Sequence, residues 1–221
     1  MFIENKRQKM KITGAIFDMD GTLIDSMDYW AVVATDYLKS VRIEPPRDTD
    51  RDYLENGMKS WHERTCPEIP YEEVSKGIYG IMENYYDNNV SLKDGVKDML
   101  EKLRAHGVKM CLATATDRVL VEKVLGQLGI LEYFTAIFTT KEVGFGKRYP
   151  FIYERAREFL GTDRETTYVF EDAIYAIKTC HQNGIKVVGV YDKNSYAEKK
   201  EVISLCNYYI DKTSKYQFEI E

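Results

Sequence analysis

The chain has little of what would tie it to a fibre, a membrane or a nucleic acid. Only 14 glycines and 5 prolines occur in 221 residues, which excludes collagen-like and low-complexity classes. Its four cysteines, Cys66, Cys111, Cys180 and Cys206, are scattered and form no Cys-x-x-Cys pair. Reduced thiols in a cytoplasmic protein are expected, not a disulfide framework. No apolar run approaches the ~18–20 residues of a bilayer span. The stretch from Met1 to Asp20 carries basic residues, but its apolar part is short and runs into aspartates, unlike a secretory signal. Positive charge is not in excess: 31 Lys and Arg against 36 Asp and Glu give a net charge of −5. That balance disfavours nucleic acid and anionic membranes as partners. What is present is ordinary for a globular chain, with 44% hydrophobic and 30% charged residues. A chain of this size buries roughly 70–75% of its unfolded surface and needs no metal or disulfide merely to fold.

Six apolar, partly β-branched segments recur: Ile12–Phe17, Lys109–Thr114, Ala136–Thr140, Thr167–Glu171, Lys186–Val190 and, more weakly, Tyr208–Ile210. Between them lie helical stripes. One is Val96, Met99, Leu100 and Leu103; a second is Leu120, Val124, Leu125 and Leu128; a third is Ile174, Ile177 and Cys180. Gly107, Gly129 and Gly184 follow these stretches, where helix stops are expected. The alternation predicts an α/β fold, a doubly wound parallel sheet of Rossmann-like type with helices on both faces.

One interval breaks the rhythm. Between 27 and 90 no buried strand is evident. Met27, Trp30, Ala31, Ala34 and Leu38 predict one helical face, and Tyr71, Val74, Ile78, Ile81 and Tyr85 another. A polar loop containing Pro45-Pro46 and Asn56-Gly57 is expected between them. The pattern predicts an all-helical domain, residues 27–90, inserted into an α/β core formed by 1–26 and 91–221. The basic run Lys6, Arg7, Lys9 and Lys11 is expected as a solvated arm.

Ligands of doubly wound sheets bind beyond the carboxyl ends of the strands, so the strand exits are where chemistry is sought. The first exit reads Phe17-Asp18-Met19-Asp20-Gly21-Thr22. Two carboxylates confined in a cleft raise each other's pKa unless a cation compensates. The second exit, Ala113-Thr114-Ala115, places a hydroxyl before a helix start. The third region holds Gly144-Phe145-Gly146-Lys147, and the fourth exit is Phe170-Glu171-Asp172-Ala173. Singly, each has a structural explanation as a turn or helix cap or a surface lysine. Their order and strand context point to one shared site.

From about Ile12 to Tyr209 the chain resembles the haloacid dehalogenase superfamily of phosphohydrolases, in the branch of β-phosphoglucomutase-like and phosphoglycolate-phosphatase-like proteins. The segments that carry the resemblance are FDMDGTLIDS (Phe17–Ser26), LATAT (Leu112–Thr116), GKRYP (Gly146–Pro150) and VFEDA (Val169–Ala173). It implies that the helical insertion is a cap domain and that Mg²⁺ is the cofactor. By the family pattern, Asp18 is the nucleophile that becomes an aspartyl-phosphate. Asp20 is the general acid for the leaving group and then the base for water. The metal is held by Asp18, the backbone carbonyl of Asp20, Asp172 and Glu171, the last directly or through water. Thr114, nearby backbone N–H groups such as that of Ala115, and Lys147 hold the phosphoryl oxygens.

The same resemblance places leaving-group contacts in the cap, at Trp30, Gly57, Met58, Lys59 and Trp61. Lys59 would meet a second anionic group and Trp61 would cover an apolar or sugar face, with His62 as the histidine nearest substrate. The implied function is a Mg²⁺-dependent phosphatase of a small phosphorylated metabolite, such as a sugar or polyol phosphate. The alternatives are a phosphomutase of the β-phosphoglucomutase type and a catalytically idle binding protein on the same fold. A cytoplasmic monomer or weak dimer is expected, with no nucleic-acid or membrane partner. Three positions depart from the pattern. Phe151 follows Pro150 where the family often has Asp, and Ala176 stands where Gly is frequent. No histidine occurs in Asp25–Trp30, where close mutase relatives carry one, and this tells against the mutase reading.

Overall fold

Gly14–Phe17, all four residues buried, form the strand from which the architecture is built. The computed structural model describes residues 9–211 and 219–221. In chain order the first elements are β1 (Lys9–Met10), β2 (Gly14–Phe17), α1 (Met27–Trp30), α2 (Val33–Ser40), α3 (Thr49–Thr65), α4 (Tyr71–Asn89) and α5 (Val96–Ala105). Then come β3 (Lys109–Thr114), α6 (Arg118–Gln127), β4 (Ile137–Thr139), α7 (Thr140–Val143), α8 (Phe151–Leu160) and β5 (Thr167–Glu171). The chain ends with α9 (Ile174–Gln182), β6 (Lys186–Val190), α10 (Lys199–Leu205), β7 (Tyr208–Ile210) and β8 (Glu219–Ile220). The chain divides into two compact units, an α/β unit up to Asp25 and from Ser91 onward, and a helical unit, Ser26–Val90.

The α/β unit carries a six-stranded sheet in the order β4-β3-β2-β5-β6-β7, parallel throughout. β2 lies at its centre, with Phe17 opposite both Leu112 and Phe170. Its apolar run Ala15-Ile16-Phe17 fits a strand covered on both faces. One face packs Ile16, Cys111 and Val169 against Ile152, Tyr153 and Leu160 of α8 and against Ile177 and Cys180 of α9. Burying each large aliphatic or aromatic side chain contributes about 1.5–3 kcal/mol. Phe17 stacks on Phe170 with ring centroids 4.3 Å apart and meets Phe134 edge-on at 5.9 Å. The expected helix stops Gly107, Gly129 and Gly184 all have positive φ.

Several expectations shift by a turn or less. Val121 is buried where the second stripe names Leu128, and Ala176 where the third names Ile174. Thr140 opens α7 and does not extend β4. Lys6 and Arg7 lie outside the described residues. Lys9 belongs to β1, which pairs in parallel with β8, so this part of the basic run is strand and not free arm.

The helical unit departs further from expectation. The first predicted face is split: Val32 leaves helical geometry (φ −133°), so α1 ends at Trp30 and α2 buries Val33, Ala34, Tyr37 and Leu38. Adjacent β-branched Val32 and Val33 weaken the helix at that point. The expected polar loop is mostly α3. At Asn56-Gly57 only Gly57 abandons helical conformation (φ 78°, ψ 159°), so the dipeptide kinks a helix where a turn was expected. α4 buries Val74, Ile78, Met82 and Tyr86, a strict i,i+4 stripe one position beyond Ile81 and Tyr85. α4 crosses α2 at Gly77, where a Cβ would stand 2.4 Å from Tyr37 Cε2. No described helix is long and apolar enough to cross a membrane.

Candidate active site

Asp18 is the first residue past β2, and its N–H donates to the Phe170 carbonyl (3.0 Å). Strand alternation sends Asp18 and Asp20 to one side and Met19 to the other. The chain then folds back tightly: the N–H groups of Thr22, Leu23 and Ile24 all donate to the Met19 carbonyl, at 3.3, 2.8 and 3.1 Å. This turn is closed by buried Met19, Leu23 and Ile24, the apolar letters of the MDGTLI run. Lys147 enters from the turn before α8. Its Nζ donates to Asp18 Oδ1 at 2.5 Å and to Glu171 Oε1 at 2.6 Å. It is 5% exposed, so it is not the surface lysine that its sequence alone would allow.

Asp18, Glu171 and Asp172 form one buried group whose carboxylate oxygens lie within 4.8 Å of one another. Parallel pairing of β2 with β5 brings them together: Phe17 is opposite Phe170, so the residues that follow emerge side by side. Glu171 accepts at both of its oxygens. Oε1 accepts from Lys147 (2.6 Å) and from the Tyr153 hydroxyl (3.1 Å). Oε2 accepts from the N–H groups of Asp172 (3.1 Å) and Ala173 (3.2 Å). Asp172 Oδ1 accepts from the Thr22 hydroxyl at 3.2 Å.

Asp20 stands outside this group of three. Its Oδ2 accepts from the Thr116 hydroxyl at 2.7 Å, and the Thr116 N–H donates to Thr114 Oγ1 at 3.1 Å. Thr114 is buried at the end of β3 and Ala115 is exposed in the turn beyond it. The second strand exit is thereby joined to the first through Thr116, a residue the motif reading passed over. Tyr153 is another such residue. Thr116 follows Thr114 by two and so shares its face, a signal present in the sequence; Tyr153 reads only as core.

The electrostatics are out of balance. Three carboxylates face one ammonium. Burial pushes the Asp18 carboxyl up from 3.8 to about 8, with Lys147 pulling it down and Glu171 pushing it further up. Burial, with Glu171 and Asp18 beside it, holds Asp172 well above the usual carboxylate range. Burial opposes the charged form of Lys147, but Asp18 and Glu171 outweigh it and keep the ammonium above the usual lysine range. A hard divalent cation among these oxygens would restore the balance.

In the helical unit, Lys59 and Gly57 are exposed, and Met58 and Trp30 are half-buried. Trp61 corrects an expectation. It is fully buried within this unit, meets Tyr37 and Tyr53 edge-on, and donates its indole N–H to Thr49 Oγ1 at 2.9 Å. Its ring is core and is not offered to a ligand. His62 is likewise buried, with Nε2 2.7 Å from the Ile69 carbonyl, where it ties down the end of α3.

Residues 15–190 match the haloacid dehalogenase-like hydrolase family. The chain belongs to this family. The hydrolase is similar to hexitol phosphatase B of Escherichia coli (strain K12), with 26% identity over 170 residues, covering 74% of this chain and 77% of that protein. It is similar to phosphoglycolate phosphatase of Neisseria gonorrhoeae, with 26% identity over 189 residues, covering 81% of this chain and 80% of the other. Among solved structures, the hydrolase shares its fold with CbbY from Rhodobacter sphaeroides in complex with phosphate. The TM-score is 0.78 at 19% identity, over 90% of this chain and 94% of that one. It also shares its fold with β-phosphoglucomutase from Clostridium difficile, at a TM-score of 0.76 and 19% identity over 94% of each chain.

Proposed function

We propose that this hydrolase is a Mg²⁺-dependent phosphatase of small phosphorylated metabolites, with sugar and polyol phosphates as the leading class, acting through an aspartyl-phosphate on Asp18. The observation that carries this reading is the buried group of Asp18, Glu171 and Asp172 around a single lysine, with Lys147 2.5 Å from Asp18 Oδ1. A relative named hexitol phosphatase supports polyol phosphates as the leading class, and one named phosphoglycolate phosphatase supports small phosphorylated metabolites more broadly.

Asp18 Oδ1 is engaged by Lys147, which leaves Oδ2 to attack phosphorus and form the new P–O bond. The bond to the ester oxygen breaks, and Asp20 delivers a proton to the departing alkoxide. In the second half-reaction Asp20 takes a proton from water as it attacks the phosphoryl group, and Asp18 is released. Thr116, donating to Asp20 Oδ2, fixes the direction from which that proton travels. The Thr114 hydroxyl, the Ala115 N–H and the third N–H of Lys147 would hold the phosphoryl oxygens.

The Asp18 and Asp172 carboxylates and the Asp20 carbonyl are the groups that would hold Mg²⁺, which when bound supplies charge neutralisation for an anion approaching an anion. Glu171 accepts from Lys147, Tyr153 and two backbone N–H groups, so it orients Lys147, and its carboxylate, grouped with those of Asp18 and Asp172, would meet the cation directly or through water. Trp30, Gly57, Met58 and Lys59 remain as proposed selectors of the leaving group.

The test is a panel of phosphorylated metabolites scored for both free phosphate and isomerised product, with Asp18→Asn as control. Released phosphate that depends on Mg²⁺, and loss of about 10³-fold or more in kcat for a folded Asp18→Asn, is the expected result. Isomerised product without phosphate release would turn the assignment to a mutase. A fully active Asp18→Asn would remove the nucleophile from the scheme.

A further inference from the structure

Lys93 lies outside every strand exit named above, yet it reaches the acidic end of the sheet. Its Nζ donates to Asp192 Oδ2 at 2.9 Å and to the Tyr191 carbonyl at 2.8 Å. The pair is secluded, with side-chain exposures of 13% for Lys93 and 1% for Asp192. Asp192 Oδ1 is also committed, accepting from the Asn194 N–H at 2.8 Å. β6 pairs with β5 so that Gly189 faces Glu171, and Tyr191 and Asp192 therefore continue past the exit where Asp172 emerges. The main chain of Lys93 is tied to the opposite flank. Its N–H donates to the Leu23 carbonyl at 3.0 Å, and Leu92 pairs with Ile24. Thr22, the neighbour of Leu23, places its hydroxyl on Asp172 Oδ1.

One residue thus joins the Thr22–Ile24 segment, which touches Asp172, to the β6 exit beside Asp172. We propose that Lys93, through its pairing with Asp192, is a positioning residue that holds Asp172 in place for the divalent cation. A secluded ion pair is a weak source of stability by itself, whereas supports behind metal-ligand carboxylates set metal affinity. The proposal rests on the metal-dependent reading above.

The test measures Mg²⁺ binding to the substrate-free protein by calorimetry, for wild type, Lys93→Arg and Lys93→Met, with circular dichroism to verify folding. Positioning predicts that Lys93→Met weakens Mg²⁺ binding by about tenfold or more, with Lys93→Arg close to wild type. Charge alone acts in the opposite sense, since removing a cation beside carboxylates tightens a divalent ion. Unchanged or tighter binding in a folded Lys93→Met would therefore overturn the proposal. If Lys93→Met does not fold, the double variant Lys93→Met with Asp192→Asn leaves no orphaned carboxylate and must show the same weakening. A wild-type protein that bound no Mg²⁺ would remove the metal reading and this proposal with it. Wild-type binding with an unaffected variant removes this proposal alone.

Discussion

The chemistry of single residues here depends on which oxygen each carboxylate keeps. Asp20 is aimed by the Thr116 hydroxyl at 2.7 Å, and a hydrogen bond to a charged group contributes about 1.5–3 kcal/mol. Thr116→Val should therefore lower kcat by roughly 10–100-fold with little change in KM. Steady-state kinetics on any substrate found in the panel would check this, and an unchanged kcat would detach Thr116 from the proton path. The cysteines make a second residue-scale case. Burial pushes the Cys111 thiol up to about 12 and holds Cys180 well above its ordinary value. At about pH 8 the Cys111 thiolate is a fraction of order 10⁻⁴. Iodoacetamide at that pH should spare both in the folded protein and label both in denaturant, as mass spectrometry would show. Asp18, Glu171 and Asp172 could be read from short motifs because each follows an apolar run that marks a strand, whereas Lys147 was legible only through the GKRYP resemblance. Tyr153 could not be read, because a hydroxyl in an apolar helical stripe carries no sign of which distant carboxylate it will meet.

At the level of elements, the α/β unit was far more legible than the helical one. β3, β5, β6 and β7 occupy the ranges that the apolar runs predict, since strands buried on both faces are nearly continuous in apolar residues. The helical unit has only small apolar faces, so one position of rotation decides which residues are core, as in the shift from Ile81 to Met82 on α4. Two substitutions test that packing. Gly77→Ala would place a Cβ 2.4 Å from Tyr37 Cε2; forcing α2 and α4 apart should cost about 1–3 kcal/mol, readable in denaturant melts. Trp61→Phe removes the hydrogen bond to Thr49 and some buried area. It should cost about 1–3 kcal/mol without changing substrate preference. A changed preference would return Trp61 to the substrate side.

On the scale of the whole molecule, the acidic group links stability to pH and to metal. Asp18 and Asp172 have folded-state values above the ordinary one, Asp18 rising from 3.8 to about 8. Groups raised in this way contribute stability that is fully present below the unfolded value and is lost as pH rises through the folded value. With EDTA present, Tm should fall as pH is raised from about 4 to about 8. Mg²⁺ should raise Tm and flatten that slope, because a cation then offsets the charge that the proton otherwise removes. A Tm indifferent to Mg²⁺ at about pH 8 would contradict the metal assignment.

The sequence by itself determined the class of fold, where along the chain most strands lie and the residues that stand at their ends. Apolar periodicity and chain order are local properties, and local properties can be read along a line. Only the tertiary structure decided that Glu171 spends its acceptors on Lys147, Tyr153 and backbone N–H groups. It also placed Trp61 in a core and joined Lys93 to Asp192 across 99 positions of chain. Each of these depends on which donors the fold brings within about 3 Å of a given oxygen, and that distance is set by packing between segments remote in sequence.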